Sequence, residues 1–452
     1  MKQKMALLLV LMLMVTAALA GCSGSSGGSG TEDATSGNSG STQDEGDSSN
    51  EGTSEDTGKL EKQDLVVWTF FGQVKQLAEQ FEKAYPNVDV HVKVFPGDKY
   101  KTKLQTALQT KTNIPDVFDL ERAYISYFIN TPYVANLSEM GADQLVEGMV
   151  PYVAALGKDD EGNVRAVADS SSPTGFWYHR SGAKKWLGTE DPDKISDMIS
   201  SWDKLIQVAE KVANKSNGKV HLIDSASSVF ALEKYQMDFW VKDKKFQIDP
   251  KWDKILNVMR TIREEGLGAK LPGFSSGWGA AINNYDPNAP AIMYGLPSWA
   301  TFMIDNENDK AAGKFGVAKP PVGSYVGGTY RAVYTNTPHK EAAYAFVKFD
   351  ASKEWQNYNL KHTGNMPSLK SVYKGNMDSY TPPLFGDQKV MKMYYDIVMD
   401  IPAKRAGLYR EDINGMFGSI VTEMLNKGQS NDWAYEQLKS KVKEAYPEIE
   451  VE

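Results

Sequence analysis

The sequence predicts an α/β protein whose body is built around parallel β-sheet. Two observations lead to this class. Patterns of buried strand and amphipathic helix alternate where the body begins, and such alternation forms right-handed crossover units in a parallel sheet. The chain of 452 residues is also long for a single hydrophobic core. We therefore expect two α/β domains.

The alternating patterns begin at residue 65. An unbroken apolar run at 65–70 is typical of a buried strand, and apolar residues at helical spacing follow over 74–81. Valines at every second position over 88–94 predict a strand with one solvent-exposed face. A second helical pattern at 100–108 leads to a third predicted strand at 114–118. This order predicts three strands joined by two crossover helices.

Later segments continue in the same style. The residues 176–178 predict a return to strand, and amphipathic helices are predicted from Trp202 and from Thr337-Pro338. A terminal helix is predicted over 432–445. No internal repeat is found, so the two domains are expected to differ in sequence.

The N-terminus has the layout of an export signal. Lys2 and Lys4 precede an apolar run at 5–20, which is too short to cross a bilayer as a helix. The run ends at Leu19-Ala20-Gly21-Cys22, and Cys22 is the only cysteine. This motif resembles the lipobox of bacterial lipoproteins, which implies cleavage after residue 21 and acylation of Cys22. The alternative is an ordinary signal peptide that leaves an unmodified thiol.

The segment 22–58 is predicted to be a flexible tether. Between Ser23 and Gly58 it carries eight acidic residues, no Lys or Arg and no aromatic side chain, so it cannot bury enough apolar surface to fold. These acidic residues account for most of the net charge of −8. The body is therefore close to neutral and shows no basic surface, which argues against nucleic acid as a partner.

Three stretches together resemble the family 1 extracellular solute-binding proteins, the sugar-binding components of ABC importers. The first is the strand–helix start at 66–119. The second is 163–188, where His179-Arg180 replaces the Asn-Lys usual in the family. The third is 289–302, in which a strand leads to Ser298-Trp299. The resemblance covers nearly all of residues 60–450.

The resemblance implies a two-lobed, periplasmic-binding-protein-like (type II) fold with a ligand cleft between the lobes. The first lobe would comprise 59–170 and 320–367, and the second 171–319 and 368–452. The chain would cross between lobes near 169–171, near 319–323 and after Pro367. The partners implied are a carbohydrate, the permease subunits of an ABC importer, and a membrane reached through the N-terminal lipid. We expect a monomer on the extracellular face of the cell membrane.

Sugar recognition requires flat aromatic faces against the C–H side of the ring and fixed polar groups for the hydroxyls. Trp299 lies just past a strand end, where the family places a stacking tryptophan. Trp278 lies in a Gly- and Ser-rich loop, and Trp177 and Tyr178 alternate on a strand so that only one can face the cleft. Phe71 follows the first strand. Each has core packing as its alternative.

The polar candidates follow the first and third predicted strands. Gln73 should line the mouth of the cleft, and Glu121-Arg122 resembles the Asp-Arg pair of maltose-binding relatives. Asp119 is an alternative carboxylate for the same task, and Asn365 is a further candidate. A carboxylate and a guanidinium can accept from and donate to neighbouring hydroxyls. The alternative for Glu121-Arg122 is a surface ion pair.

We expect no cofactor, no metal and no catalysis. The acidic segment 158–163 lacks calcium-loop spacing, and no zinc-protease or phosphate-loop motif occurs. A secreted glycoside hydrolase remains the main alternative, because two suitably placed carboxylates are all that such an enzyme needs. A binding protein for a non-sugar solute and a purely structural lipoprotein remain open as well.

Overall fold

The computed structural model describes residues 60–452, which form one compact unit. The predicted signal peptide, Cys22 and nearly all of the predicted tether lie outside the described residues. The strands in chain order are β1 Gln63–Thr69, β2 Val88–Val94, β3 Val117–Glu121, β4 Ala166–Val167, β5 Thr174–His179, β6 His221–Ile223, β7 Val241–Lys242, β8 Lys245–Phe246, β9 Ala291–Pro297, β10 Phe315–Ala318 and β11 Thr329–Val333.

Helices connect and cover these strands. In chain order the α-helices are Val74–Ala84, Gly97–Thr110, Ser126–Ile129, Ala142–Glu147, Pro151–Leu156, Arg180–Trp186, Pro192–Met198, Trp202–Ser216, Ser227–Glu233, Lys251–Glu264, Ser276–Ile282, Lys340–Asp350, Lys353–Thr363, Lys370–Asn376, Val390–Met399, Arg410–Lys427 and Asn431–Ala445. Short 3₁₀ turns lie at Leu137–Met140, Ala300–Met303, Glu307–Asp309 and Pro383–Phe385.

The first sheet has five strands in the order β2-β1-β3-β11-β4. Strands β1, β2 and β3 are parallel, as the alternating pattern predicts, and the returning strand β11 lies antiparallel to β3 and β4. The third strand begins at Val117, three residues later than predicted. Pro115 cannot donate to a strand ladder, and the Asp116 carboxylate instead accepts a hydrogen bond of 2.8 Å from the Val66 amide.

The second sheet has the order β10-β5-β9-β6 and is mixed. Strand β5 is antiparallel to both β9 and β10. The reason is that β5 directly follows the crossing into this lobe and β10 directly precedes the crossing back, so the two must run in opposite directions. Only β6 and β9 are parallel in this sheet. A separate hairpin consists of β7 and β8.

The three segments that join the two sheets lie side by side. Ser170 forms an antiparallel bridge with Pro367, and Pro173 forms one with Tyr325. Of the C-terminal helices, Val390–Met399 packs on strands β5 and β10 of the second sheet. Arg410–Lys427 packs against the helix Lys251–Glu264. Within residues 60–452, no helix is long and apolar enough to cross a membrane.

Candidate ligand-binding cavity

A cavity of about 530 Å³ is lined by loops beside the first sheet, by the segment that follows β9 and by the helix Lys353–Thr363. Its volume is within the range of small-molecule sites. Its walls combine aromatic rings, amides, hydroxyls and a few charged groups. They are Phe71, Gln73, Val74, Glu121, Asp169, Ser170, Ser172, Trp299, Thr301, Phe302, Gly327, Gly328, Thr329, Arg331, Trp355, Asn359, Thr363 and Asn365.

The turn after β1 places one aromatic ring at the cavity. The Thr69 hydroxyl donates to Asp119 Oδ2 at 2.6 Å and accepts from the Phe71 amide at 2.9 Å. This arrangement fixes the turn while the Phe71 side chain stays 47% exposed. Gln73 immediately precedes the helix Val74–Ala84, and its amide oxygen lies 3.4 Å from Asn365 Nδ2. Phe71, Gln73 and Asn365 therefore form one wall.

Trp299 and Phe302 form a second aromatic surface of the cavity. Their rings stack with centroids 5.9 Å apart and an interplanar angle of 8°. The Trp299 indole donates to the Val326 carbonyl at 2.8 Å, which anchors the ring to a crossing segment. Gly327 has φ of 76°, and a Cβ there would lie 3.3 Å from the Trp299 indole nitrogen. Only glycine leaves this ring undisturbed.

Asp169 connects the first crossing segment to a helix of the same lobe. Its Oδ2 accepts from the Trp355 indole at 3.1 Å and from Asn359 Nδ2 at 2.7 Å. Asp169, Trp355 and Asn359 are all buried to more than nine-tenths, yet all three line the cavity. The carboxylate thus holds an indole edge and an amide in fixed positions at the cavity floor.

Arg331, on β11, is the cation of this wall. It donates through Nη1 to the Asp350 carboxylate, and its Nε lies 3.4 Å from Asp119 Oδ1. Both carboxylates are fully buried, and burial raises the pKa of each. Glu121, at the end of β3, accepts from the Ala123 amide at 2.7 Å, and burial raises its pKa as well.

Of the sequence-predicted residues, the structure brings five together at the cavity: Trp299, Phe71, Gln73, Glu121 and Asn365. Asp119 lies one layer behind, bonded to Thr69 and facing Arg331. An aromatic surface opposite amides and carboxylates can stack on the apolar face of a sugar and bind its hydroxyls.

The structure places Trp177 and Tyr178 in the core, both fully buried and away from the cavity. The Trp177 indole donates to the Tyr394 hydroxyl at 2.9 Å, and the Tyr178 hydroxyl donates to the Glu190 carbonyl at 2.7 Å. The expectation that one of them faces the cleft assumes that β5 has an open face. All six residues of β5 are buried, so both of its faces are covered and neither ring reaches the cavity.

Trp278 is buried too, at 4% exposure, and does not line the cavity. It belongs to the helix Ser276–Ile282, and its indole donates to Asp224 Oδ2 at 2.8 Å. Burial raises the pKa of Asp224 to about 6. The Gly- and Ser-rich loop ahead of Trp278 indicates a helix N-cap, with Ser275 accepting from the Trp278 amide, rather than a ligand loop.

Arg122 also lies away from the cavity, where the segment after β3 contacts the helix Arg410–Lys427. Its Nη1 lies 2.6 Å from Glu411 Oε1, and its guanidinium lies over the rings of Tyr235 and Tyr325, 4.8 and 5.2 Å from the centroids. Tyr325 is stacked between Tyr235 and Tyr152. We call Arg122, Tyr152, Tyr235, Tyr325 and Glu411 the arginine–tyrosine cluster. It is buried, unlike the surface ion pair considered from the sequence.

Glu411 is negatively charged in this cluster at neutral pH. Burial by itself would raise its pKa, but the Arg122 guanidinium and the Lys234 ammonium outweigh burial and lower the pKa below its ordinary value. The Tyr235 hydroxyl lies 3.3 Å from Glu411 Oε2. The neighbouring Asp412 accepts from the Tyr127 and Tyr446 hydroxyls.

Sequence reasoning missed Phe302, Asp169, Arg331, Trp355 and Asn359 as cavity residues. Phe302 carries a local signal, since it lies one turn after Trp299. The others carry none, because they reach the cavity only through long-range contacts such as Asp169 with Trp355, 186 positions apart.

The described residues contain one group of carboxylate and imidazole side chains close enough to share a metal ion: Asp64, Asp89 and His91. All three are exposed on strands β1 and β2, and none lines the cavity.

Known proteins resemble this chain over most of its length. The arabinooligosaccharide-binding protein of Bacillus subtilis (strain 168) is 23% identical over 385 residues, which cover 80% of this chain and 79% of that protein. A solved structure of an extracellular solute-binding protein of family 1 superposes with a TM-score of 0.76 at 21% identity, covering 84% of this chain and 99% of the other. For the sugar-binding protein MalE of Xanthomonas citri the TM-score is 0.70 at 18% identity, covering 84% and 97%.

These likenesses confirm the predicted two-lobed α/β fold. A family profile described as bacterial extracellular solute-binding protein matches residues 76–384, well over half of the chain. This chain therefore belongs to the bacterial extracellular solute-binding protein family.

Proposed function

We propose that this chain captures a sugar, an oligosaccharide rather than a single ring, between its two lobes and delivers it to the permease of an ABC importer. Family membership supports the binding role, and the relatives named above are described as arabinooligosaccharide-binding and sugar-binding. These relatives are binding proteins, so we propose no catalysis here.

The observation that carries the proposal is the presence of two aromatic surfaces, Phe71 and the Trp299–Phe302 pair, in the lining of one cavity. Phe302 is 75% exposed and Phe71 is 47% exposed, and both border a cavity that also presents amides and carboxylates. Large exposed aromatic rings beside fixed polar groups suit a ligand with an apolar face and hydroxyl edges. Two such surfaces suit more than one sugar ring.

The proposed mechanism is lobe closure. The lobes are proposed to have the boundaries predicted from the sequence, with 59–170 and 320–367 in the first and 171–319 and 368–452 in the second. Trp299 and Phe302 would hold one side of the sugar and the Phe71 wall the other. A ligand that contacts both lobes binds the closed state better and shifts the equilibrium toward it.

The proposed location is the outer face of the cell membrane, with the mature chain anchored by acylated Cys22. The lipobox-like motif supports this step. The protein should partition with membranes, and Cys22→Ser should abolish acylation and release the chain into the medium. Detection of the unsubstituted protein free of lipid would refute the anchoring.

The test of function is a thermal-shift screen of the mature protein with mono- and oligosaccharides, followed by calorimetric titration. A ligand that binds the folded state must raise the melting temperature, and micromolar affinity corresponds to about −8 kcal/mol. Absence of any response across the screen would refute sugar binding and leave a non-sugar solute. Release of new reducing ends would identify a glycoside hydrolase instead.

A further inference from the structure

The charges at the cavity are unbalanced. Among the described residues that line it, Glu121 and Asp169 are acidic and Arg331 is the only base. The Arg331 guanidinium is already engaged by two carboxylates behind it, Asp350 and Asp119. Its positive charge is therefore largely compensated by these two carboxylates and attracts a ligand anion only weakly.

Neither of the two carboxylates that line the cavity has a cation as its hydrogen-bond partner, and the charges of Arg122 and Arg331 act on them without a direct ion pair. Asp169 is held by the Trp355 indole and the Asn359 amide, which are neutral donors and cancel no charge. Glu121 accepts from a backbone amide, and the adjacent Arg122 is paired with Glu411 at 2.6 Å. Burial raises the pKa of Asp119 and Asp350. Even with one of them protonated, carboxylates still outnumber the single guanidinium.

A negative charge on a ligand would be placed against this excess in a partly desolvated site. Like charges within about 8 Å at an effective dielectric constant near 20 repel strongly enough to cost roughly tenfold or more in affinity. Neutral hydroxyls pay no such penalty, and an ammonium group is attracted. Carboxylates also accept hydrogen bonds from hydroxyl and ammonium groups, and ionised ones cannot donate to a ligand carboxylate.

We propose that the cavity admits neutral sugars and sugars that carry an ammonium group, and rejects sugars that carry a carboxylate or sulfate. This inference rests on the proposed function and narrows its substrate class. Asp169 is the specificity-determining residue, since it is the buried carboxylate that lines the cavity without a cationic hydrogen-bond partner.

The test uses the full mature protein and matched disaccharides of the gluco and galacto series, each as the neutral, 2-amino and uronate form. In the series that binds, the neutral and 2-amino forms should titrate measurably, with the uronate weaker by roughly tenfold or more. Raising the salt concentration should weaken the 2-amino form and leave the neutral form unchanged. A uronate that binds as tightly as its neutral counterpart overturns the inference and leaves sugar binding intact. Failure of all six disaccharides to bind overturns both.

Asp169→Asn provides the second readout. It keeps an oxygen acceptor for Trp355 and Asn359 but removes one charge, so the ratio of neutral to uronate affinity should fall several-fold. A ratio within one preparation does not depend on the folded fraction. Asp378→Asn, at an aspartate whose side chain is 92% exposed on the surface, is the matched control and should leave the ratio unchanged. An unchanged ratio in Asp169→Asn would contradict the assigned role.

Discussion

Two regions of the molecule satisfy their polar groups in opposite ways. In the arginine–tyrosine cluster, Arg122 is 7% exposed and pairs with Glu411, with tyrosine rings stacked around the guanidinium. At the cavity, Phe71 and Phe302 stay exposed and two carboxylates lack a cationic hydrogen-bond partner. In the first region the charged and polar groups pair with one another. In the second region polar groups remain available to a ligand. A buried polar contact is therefore not by itself a binding site.

The largest expected effect is from breaking the arginine–tyrosine cluster. Arg122→Met leaves Glu411 buried without its cation, which should reduce the free energy of unfolding by about 3 kcal/mol. Denaturant unfolding measures this loss. Adding Glu411→Gln should recover part of it, because the uncompensated charge is then gone.

The matched control is Lys427→Met, which breaks an exposed pair with Glu423 and should leave the free energy of unfolding nearly unchanged. Sugar affinity of Arg122→Met provides the sharper comparison. If Arg122 contacted the ligand, as the sequence predicts, affinity would fall together with stability. We expect the sugar affinity of Arg122→Met to change far less than that of the Trp299→Ala variant described below.

The next effect is on binding. Trp299→Ala removes one stacking surface and should weaken sugar binding about tenfold or more, measured by calorimetry. Trp278→Phe is the control: that indole is buried against Asp224, so its loss should lower the melting temperature with affinity unchanged. The reverse pattern would place the ligand at Trp278.

A smaller effect is expected at Gly327. Gly327→Ala forces a side chain into positive φ, at about 1 kcal/mol, and presses on the Trp299 indole. Gly188→Ala has φ of 80° but nothing within 4 Å of its new Cβ, so it carries the backbone cost alone. Only the Gly327 variant should lose sugar affinity, by a few-fold. Equal sugar affinities in the two variants would indicate that Trp299 does not contact the ligand.

The smallest effect is the response to pH, whose sign differs between the regions. Glu411 has a lowered pKa, so the stability from its ion pair is complete above the ordinary glutamate pKa and is lost only as pH falls through the lower folded value. Glu121 has a raised pKa, so it takes up a proton first as pH falls. As pH falls from neutral, the penalty against a uronate should therefore shrink before the loss of stability caused by Arg122→Met does. If the loss caused by Arg122→Met disappeared at a higher pH than the penalty against a uronate, the assigned charges of Glu411 and Glu121 would be contradicted.

The sequence predicted the elements that local patterns determine. The valines of β2 and the apolar run of β1 specify neighbouring strands. Trp299, which lines the cavity, was nominated because it follows a strand end at the position where the resembled family places a stacking tryptophan. Trp177 and Tyr178 were not predictable, because alternation cannot tell whether both faces of a strand are covered. Arg122 was placed near the site, but its partner Glu411 lies 289 positions away.

The central claim is that the sugar lies between Trp299 and Phe302 on one wall and Phe71 on the other. The most direct measurement is a crystal structure of the protein with the tightest oligosaccharide from the screen. We expect sugar rings stacked on Trp299 or Phe302, with hydroxyls bonded to Glu121, Asp169 or Asn365. A sugar bound elsewhere, with this cavity filled only by water, would contradict it.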